Sequence, residues 1–140
     1  MESRVEKALE NHKKGCNCAQ AVFCAYSDLF GVDEQIAFRM AEGFGGGMGG
    51  MHDGTCGAVT AMYMLAGIKE SSGTVEKGLT KAQTYAKVRE LSKAFQEMNK
   101  STICSDLLGH GDPLIKRSCT GCIEDASRIV EKILLAGEED

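Results

Sequence analysis

The chain has 140 residues and a formal net charge of −4 at pH 7, with a pI near 5.4. This length is enough to bury the core of one domain. The acidic balance argues against a nucleic-acid surface, which would be basic. No stretch reaches the roughly 20 consecutive apolar residues of a membrane span. The first residues carry charges of both signs and no apolar h-region, so we expect no signal peptide and a cytoplasmic location.

The sequence pattern favours an all-α fold. Only one proline, Pro113, interrupts the chain, and valine and isoleucine do not alternate with polar residues over any useful length. No linker divides the chain. We therefore predict a single cysteine-rich domain over residues 1–140, built as a bundle of six or seven helices with a glycine-rich loop.

Apolar residues at helical spacing, together with the capping and stop residues around them, define the predicted helices. Ser3 and Glu6 form a candidate capping box, Asp33 and Ser101 are candidate N-caps, and Gly67 is a candidate stop. We expect the last four residues, 137–140, to be frayed. The predicted helices span residues 3–14, 17–30, 33–43, 54–66, 74–99, 101–108 and about 120–133.

A glycine-rich stretch separates the third and fourth predicted helices, with eight of the 17 glycines inside 15 residues. Neither a helix nor a central strand tolerates that density, so we predict a loop. Gly45-x-Gly47-x-x-Gly50 matches the dinucleotide fingerprint literally, but it lacks the preceding strand and following helix. Backbone amides of such a loop can wrap an anionic metal centre, and we assign Gly46, Gly47 and Gly49 to that role. A mobile flap and close helix packing are the alternatives.

Four of the seven cysteines fall at the starts of four predicted helices. Alanine would serve as well for inert packing, whereas converging thiols bind metals or exchange electrons. An odd number of cysteines cannot pair completely within one chain, and structural disulfides are rare in a reducing cytoplasm. We therefore predict that these four meet at one site and serve as metal ligands: Cys18, Cys56, Cys104 and Cys122.

Cys56 is the candidate reactive thiol, with Cys18 as its partner. Cys56 follows the glycine-rich loop and opens a helix, where free amides and the helix dipole stabilise a thiolate, so we expect a lowered pKa. His52 is a candidate metal ligand or base for a thiol, and the alternative is an ordinary surface histidine. We expect His12 and His110 to be solvated.

The remaining cysteines carry weaker signals. Cys119 and Cys122 form Cys-x-x-Cys, a spacing that suits zinc, an iron–sulfur cluster or a thioredoxin-like pair, although the βαβ pattern of thioredoxin is missing. Cys16 is close to a second cysteine, and we expect Cys24 to be buried simply as a core residue. Ile123 follows Cys122, so the Cys-x-x-Cys-His motif of haem attachment is absent and we predict no haem.

Five segments of cysteines and glycines recur in an order that resembles the redox-active proteins of the C_GCAxxG_C_C family. The resemblance covers about residues 15–130. It implies that the family's cysteines correspond to the four named above. The segments are Cys18-Ala-Gln-Ala-Val22, Phe44-Gly-Gly-Gly-Met48-Gly49, Cys56-Gly-Ala-Val59, Cys104-Ser-Asp-Leu-Leu-Gly109 and the late Cys122.

The resemblance also implies an iron centre. A similar domain occurs in split-Soret cytochromes, where it accompanies haem and non-haem iron, and only the non-haem iron carries over to a chain without the haem motif. One local departure is present. This chain has Thr55-Cys56-Gly57-Ala58 where the family tag has Gly-Cys-Ala, and Ala61 stands in place of a later glycine.

Three functional hypotheses follow from these patterns. The first is a small redox protein whose thiolates hold an iron or iron–sulfur centre for electron transfer. The second is a metal-free thiol–disulfide oxidoreductase. The third is a zinc-stabilised structural or partner-binding module. We expect an unidentified redox partner and neither nucleic acid nor membrane as a partner, and the sequence leaves open whether the protein is a monomer or a homodimer.

Overall fold

The computed structural model describes residues 2–136, and within them it is a single all-α domain without a β-strand, as predicted. Short 3-10 turns follow the second and third helices, and a π-helical segment, Val130–Leu134, extends the last one. The predicted frayed tail lies outside the described residues. The seven α-helices are α1 (Val5–Lys13), α2 (Cys18–Tyr26), α3 (Glu34–Ala41), α4 (Gly57–Glu70), α5 (Lys81–Asn99), α6 (Cys104–Leu107) and α7 (Cys119–Ile129).

Helix α2 is the centre of the fold. Every residue from Ala19 to Tyr26 is buried, and the helix packs against α1, α3, α4 and α7. Its sequence is apolar on all sides, as expected for a helix that other helices surround. Phe23 and Tyr26 are the largest side chains that α2 contributes to the core.

Helices α4 and α7 complete the core beside α2. Val59, Met62 and Leu65 of α4 are fully buried, as is Ile123 of α7. In contrast, α5 is the longest helix and buries only Leu91 and Phe95, so it lies on the outside of the bundle. This packing of the helices places the N-terminal ends of α2, α4, α6 and α7 around one cavity.

Several helix boundaries differ from the sequence prediction. The Ser3 capping box does not form, because Ser3 Oγ bonds Glu131 Oε2 at 3.2 Å and α1 begins at Val5 without a side-chain cap. Gly67 does not end α4, because one interior glycine costs only about 1 kcal/mol and packing of the buried face outweighs that cost. Ser101 does not cap α6. Its Oγ accepts from Ile103 N at 3.0 Å, and Ile103 is the N-cap residue of the helix, without a side-chain cap.

Helix α5 begins seven residues later than predicted, at Lys81 rather than Thr74. The intervening segment holds a 3-10 turn in which Lys77 and Gly78 adopt left-handed backbone angles, with φ of 49° and 59°. That conformation cannot continue an α-helix. No helix between residues 2 and 136 is long and apolar enough to cross a bilayer.

Candidate functional site

A cavity of about 210 Å³ lies where four helices begin, and cysteines dominate its wall. The structure brings together all four cysteines that the sequence singled out, and it adds one that the sequence analysis left aside. Their predicted roles as ligands or reactive groups stay predictions. We call this cavity the thiol pocket, and its five cysteines are Cys18, Cys56, Cys104, Cys119 and Cys122.

A capping box fixes the position of Cys18 at the first turn of α2. Asn17 Oδ1 accepts from Gln20 N at 2.9 Å, and Gln20 Oε1 accepts from Asn17 N at 3.0 Å. The same Asn17 side chain donates to Glu42 O at 2.9 Å, which ties the start of α2 to the chain just before the glycine-rich loop. Local sequence therefore decides where the first thiol enters the pocket.

A pair of backbone hydrogen bonds holds Cys56 and Cys104 side by side. Cys56 N donates to Thr102 O at 2.7 Å, and Cys104 N donates to Gly54 O at 2.9 Å. The two segments that precede α4 and α6 thus run antiparallel over a few residues. These main-chain bonds help to bring two cysteines that lie 48 residues apart in sequence to the wall of one cavity.

Cys119 and Cys122 reach the pocket together from the first turn of α7. Ser118 caps this helix, with its Oγ accepting from Gly121 N at 2.9 Å. Residues three apart on a helix share a face, and this spacing was the signal that could have placed Cys119 in the site. The sequence analysis treated it as an extra cysteine because the family pattern has only one late cysteine.

Three of the thiols form a hydrogen-bonded chain in the order Cys18, Cys56, Cys122. The bond to Cys56 raises the pKa of Cys18 far above the ordinary thiol value, and burial adds to the rise. The bond to Cys122 raises the pKa of Cys56 to about 12. Cys18 and Cys56 are therefore neutral thiols at pH 7 when no cation replaces their protons.

The predicted low pKa of Cys56 is therefore wrong. The backbone does have the effect that the sequence predicts, because the Ala58 amide hydrogen-bonds the Cys56 thiol and lowers its pKa. Cys56 is the N-cap of α4, immediately before its first helical residue. The Cys122 thiol and burial outweigh this amide. A sequence shows the start of a helix, but it does not show a second thiol arriving from α7.

The remaining two thiols of the pocket belong to Cys104 and Cys119, and His52 also lines the cavity. Burial raises the pKa of both Cys104 and Cys119. His52 Nδ1 lies 3.4 Å from Cys104 Sγ. The His52 ring thus contacts the thiol of Cys104, although Cys56 is the nearest cysteine in sequence.

Of the three predicted glycines in the loop, Gly46 lines the pocket and Gly47 packs closely against Cys104. The Gly46 backbone hydrogen-bonds the Cys18 thiol, which lowers the pKa of that thiol against the larger opposing effects. At Gly47 an added Cβ would lie 2.5 Å from Cys104 Cβ, so only glycine permits the approach of this loop to α6. Gly49 does not line the pocket. Its amide donates to Gly43 O at 2.7 Å within the loop.

Gly57 is one residue of the local departure from the family tag, and it lies in close contact with Cys18. An added Cβ there would lie 2.6 Å from Cys18 Sγ, and the Gly57 backbone also hydrogen-bonds that thiol. The glycine after Cys56 is therefore the point at which the start of α4 meets the start of α2. At this position the glycine permits close packing of two helices, which was one of the alternative roles considered for the glycine-rich stretch.

The other predicted residues lie as follows. Cys24 is 3% exposed in the core, away from the pocket, which confirms its simple burial. Cys16 is half-buried and does not line the pocket. His110 is exposed as predicted, whereas His12 is half-buried and lines the pocket, so its predicted solvation is wrong.

The chemistry of the pocket wall is that of soft sulfur donors. All seven cysteines are free. Within residues 2–136, no group of three or more His, Cys, Asp or Glu side chains is arranged so that it could hold a metal ion. The donor chemistry of the pocket suits iron or zinc, because both metals bind cysteine sulfur.

The fold and the pocket together define an all-α protein with a multi-thiol site. The chain belongs to the family described as "Putative redox-active protein (C_GCAxxG_C_C)", which it matches over residues 16–133. Residues from Cys16 to Ile133 include all five cysteines of the pocket. No curated protein and no solved structure matches the chain.

Proposed function

We propose that this redox-active protein is an electron carrier whose thiol pocket holds an iron or iron–sulfur centre. The observation that carries the proposal is that five thiols from the starts of four helices line one cavity of about 210 Å³. A core needs no such concentration of thiols, and Cys24 shows how this protein buries a cysteine that has no thiol neighbour at hydrogen-bonding distance.

The proton balance of the pocket supports a metal over a free thiolate. Cys18 and Cys56 hold their protons tightly, and a thiol must be deprotonated to attack a disulfide. A bound cation replaces those protons outright, because a coordinating thiol is deprotonated by the metal. The same thiols that are poor nucleophiles at neutral pH are therefore suitable ligands.

Backbone amides support an anionic centre in the same place. The amides of Gly46 and Gly57 bond Cys18, and that of Ala58 bonds Cys56. When bound, an iron–thiolate centre would supply one-electron chemistry. Hydrogen bonds to the sulfurs raise the potential of such a centre, so these amides would tune it. Cys18, Cys56, Cys104 and Cys122 are the proposed ligands, with Cys119 as a fifth candidate.

The test is elemental analysis and a visible spectrum of the protein purified without air. We expect iron together with visible absorbance that bleaches on reduction. Zinc in a colourless protein would instead support the structural module, and chelation would then unfold it. Absence of both metals, before and after anaerobic reconstitution with iron and sulfide, would contradict the proposal.

Variants at two nearby cysteines make this test specific to the pocket. Cys18→Ser removes a thiol from the pocket, whereas Cys16→Ser removes one two residues away that does not line it. Iron binding should fall in the first variant and persist in the second. Equal iron binding in both would place the metal elsewhere.

Thiol–disulfide exchange is the second candidate, and the hydrogen-bonded chain of Cys18, Cys56 and Cys122 favours it. Cys56 would attack a substrate disulfide and release one thiol. A neighbouring cysteine would then attack the Cys56 sulfur and release the second thiol. The sum is one disulfide and two protein thiols converted into one protein disulfide and two small thiols.

Mild oxidation of the metal-free protein tests this second candidate. Thiol–disulfide exchange predicts the loss of two free thiols and the formation of a disulfide that links Cys56 to Cys18 or to Cys122, identified by peptide mass spectrometry.

We further propose a cytoplasmic location, because seven free cysteines accord with a reducing compartment.

A further inference from the structure

Arg117 is the one arginine on the wall of the thiol pocket within the described chain. It lies two residues before α7, and its backbone N donates to Leu107 O at 2.8 Å, which fixes the segment against α6. The same side chain lies near enough to Cys122 for the two to interact electrostatically.

A buried carboxylate holds the guanidinium in one orientation. Arg117 Nε donates to Asp125 Oδ2 at 3.0 Å, and Nη2 donates to Asp125 Oδ1 at 3.2 Å. Asp125 is only 5% exposed and also accepts from Asn99 Nδ2 at 3.1 Å. Asp125 raises the pKa of Arg117, so the cation is permanent. A two-point contact of this kind fixes the geometry as well as the charge.

Gly121 provides the space in which this side chain lies. An added Cβ at Gly121 would be 2.4 Å from Arg117 Nε, so the guanidinium packs directly on the backbone of α7 between Cys119 and Cys122. Gly121, inside the Cys-x-x-Cys motif, therefore leaves the space that the Arg117 guanidinium occupies. Neither the cysteine pattern nor the family resemblance assigns a role to this residue.

The pocket has a different charge balance from the rest of the protein. The chain carries a net charge of −4, yet no Asp or Glu among the described residues lines the pocket. Asp125 and Glu124 contact Arg117 without lining the cavity. Asp125 accepts hydrogen bonds from Arg117 Nε and Nη2, so Nη1 is the guanidinium nitrogen that Asp125 does not bind.

We propose that Arg117 is the fixed counter-cation of the thiol pocket and that the pocket therefore favours anions over neutral molecules of the same size. This inference rests on the proposed function only in taking the pocket as the reactive site. It applies to an anionic iron–thiolate centre and equally to a small anionic thiol reagent that enters the cavity.

The test compares the alkylation of pocket thiols by anionic iodoacetate and by neutral iodoacetamide at one pH. Full-length protein is first freed of bound metal by anaerobic chelation, and its fold is checked by circular dichroism. Peptide mass spectrometry gives the rate at Cys119, the exposed pocket thiol, with Cys16 outside the pocket as the reference in the same molecule. The quantity of interest is the ratio of the two rates at each cysteine.

Arg117→Gln should lower the iodoacetate-to-iodoacetamide ratio at Cys119 by about three- to tenfold, the effect of one charge at several ångströms in partly screened surroundings. Arg117→Lys should retain most of the ratio. Arg128→Gln is the matched control, because Arg128 also pairs with Glu124 but does not line the pocket. The ratio at Cys16 should stay constant throughout.

Loosening of the structure would accelerate both reagents and leave their ratio unchanged, so it cannot imitate the expected result. If Arg117→Gln fails to fold, the Arg117→Gln/Asp125→Asn double variant avoids the unpaired buried carboxylate. Salt should also reduce the ratio in the unaltered protein. An unchanged ratio in the folded variants, or an equal fall in Arg128→Gln, would overturn the inference. Absence of iron would contradict only the proposed function.

Discussion

Helix α2 carries two cysteines whose surroundings differ. Cys24 lies in the core, where burial is the largest cause that raises its pKa to about 11, with smaller contributions from Cys16 and Glu34. Cys18 lies at the start of the same helix, and the neighbouring thiol of Cys56 is the largest cause of its raised pKa. The comparison separates a cysteine used as a small apolar residue from one that belongs to a group. A hydrogen bond to a second thiol, which outweighs burial, distinguishes Cys18 from Cys24.

The largest expected effect comes from removing the Cys18 thiol, with Cys24 on the same helix as the control. Cys18→Ser should abolish most iron binding, because it removes a ligand and breaks the thiol chain. Cys24→Ala should leave iron binding intact and cost about 1 kcal/mol or less of unfolding free energy, since it removes one buried atom. Iron content and urea unfolding measure the two quantities. Iron loss in both variants would contradict the proposed difference between Cys18 and Cys24.

Two glycines of α4 provide the next comparison. Gly57→Ala should cost about 1–3 kcal/mol and reduce iron binding, because its Cβ would meet Cys18 Sγ at 2.6 Å. Gly67→Ala should stabilise the same helix by about 0.5–1 kcal/mol, because nothing lies within 4 Å of the added Cβ. Thermal unfolding and metal analysis of the two variants check this. Similar behaviour of the two would show that α4 does not pack on Cys18 as described.

Alkaline pH should weaken the metal-free protein through its buried thiols. The pKa of Cys24 is raised from 9.0 to about 11, so the folded state holds this proton more tightly than the unfolded chain. Its contribution to stability is complete below pH 9.0 and is lost as the pH rises to about 11. Cys56 extends the loss toward a pKa of about 12.

Urea unfolding at several pH values between about 8 and 11 tests the sign of this dependence. The free energy of unfolding should fall as the pH rises, and less steeply in Cys24→Ala, which lacks one of the titrating groups. Stability that increases over this range would contradict the raised pKa values.

The smallest effect is expected at His52. His52→Asn keeps a residue that tolerates the observed φ of 66° but removes the ring that contacts Cys104. Iron binding should be retained, and the unfolding free energy should change by less than about 0.5 kcal/mol. Loss of iron in this variant would make the imidazole, rather than the Cys104 thiol, the ligand on that side of the pocket.

The sequence predicted the all-α fold and the helix starts that bear cysteines because both depend on local patterns. Boundaries failed where tertiary contacts override those patterns, as at Gly67, where α4 continues because its face is buried. The pKa of Cys56 could not be predicted, because its largest cause is Cys122, 66 residues away in sequence. Likewise, the packing of the Arg117 side chain on Gly121 depends on a tertiary contact that the spacing of residues in the sequence does not reveal.

The most direct test of the central claim is the iron X-ray absorption spectrum of protein purified without air. The account predicts a coordination shell of sulfur atoms, and it predicts that this shell disappears in Cys18→Ser and is unchanged in Cys16→Ser. A shell of nitrogen and oxygen atoms, or a sulfur shell that survives in Cys18→Ser, would contradict the claim that the pocket thiols hold the iron.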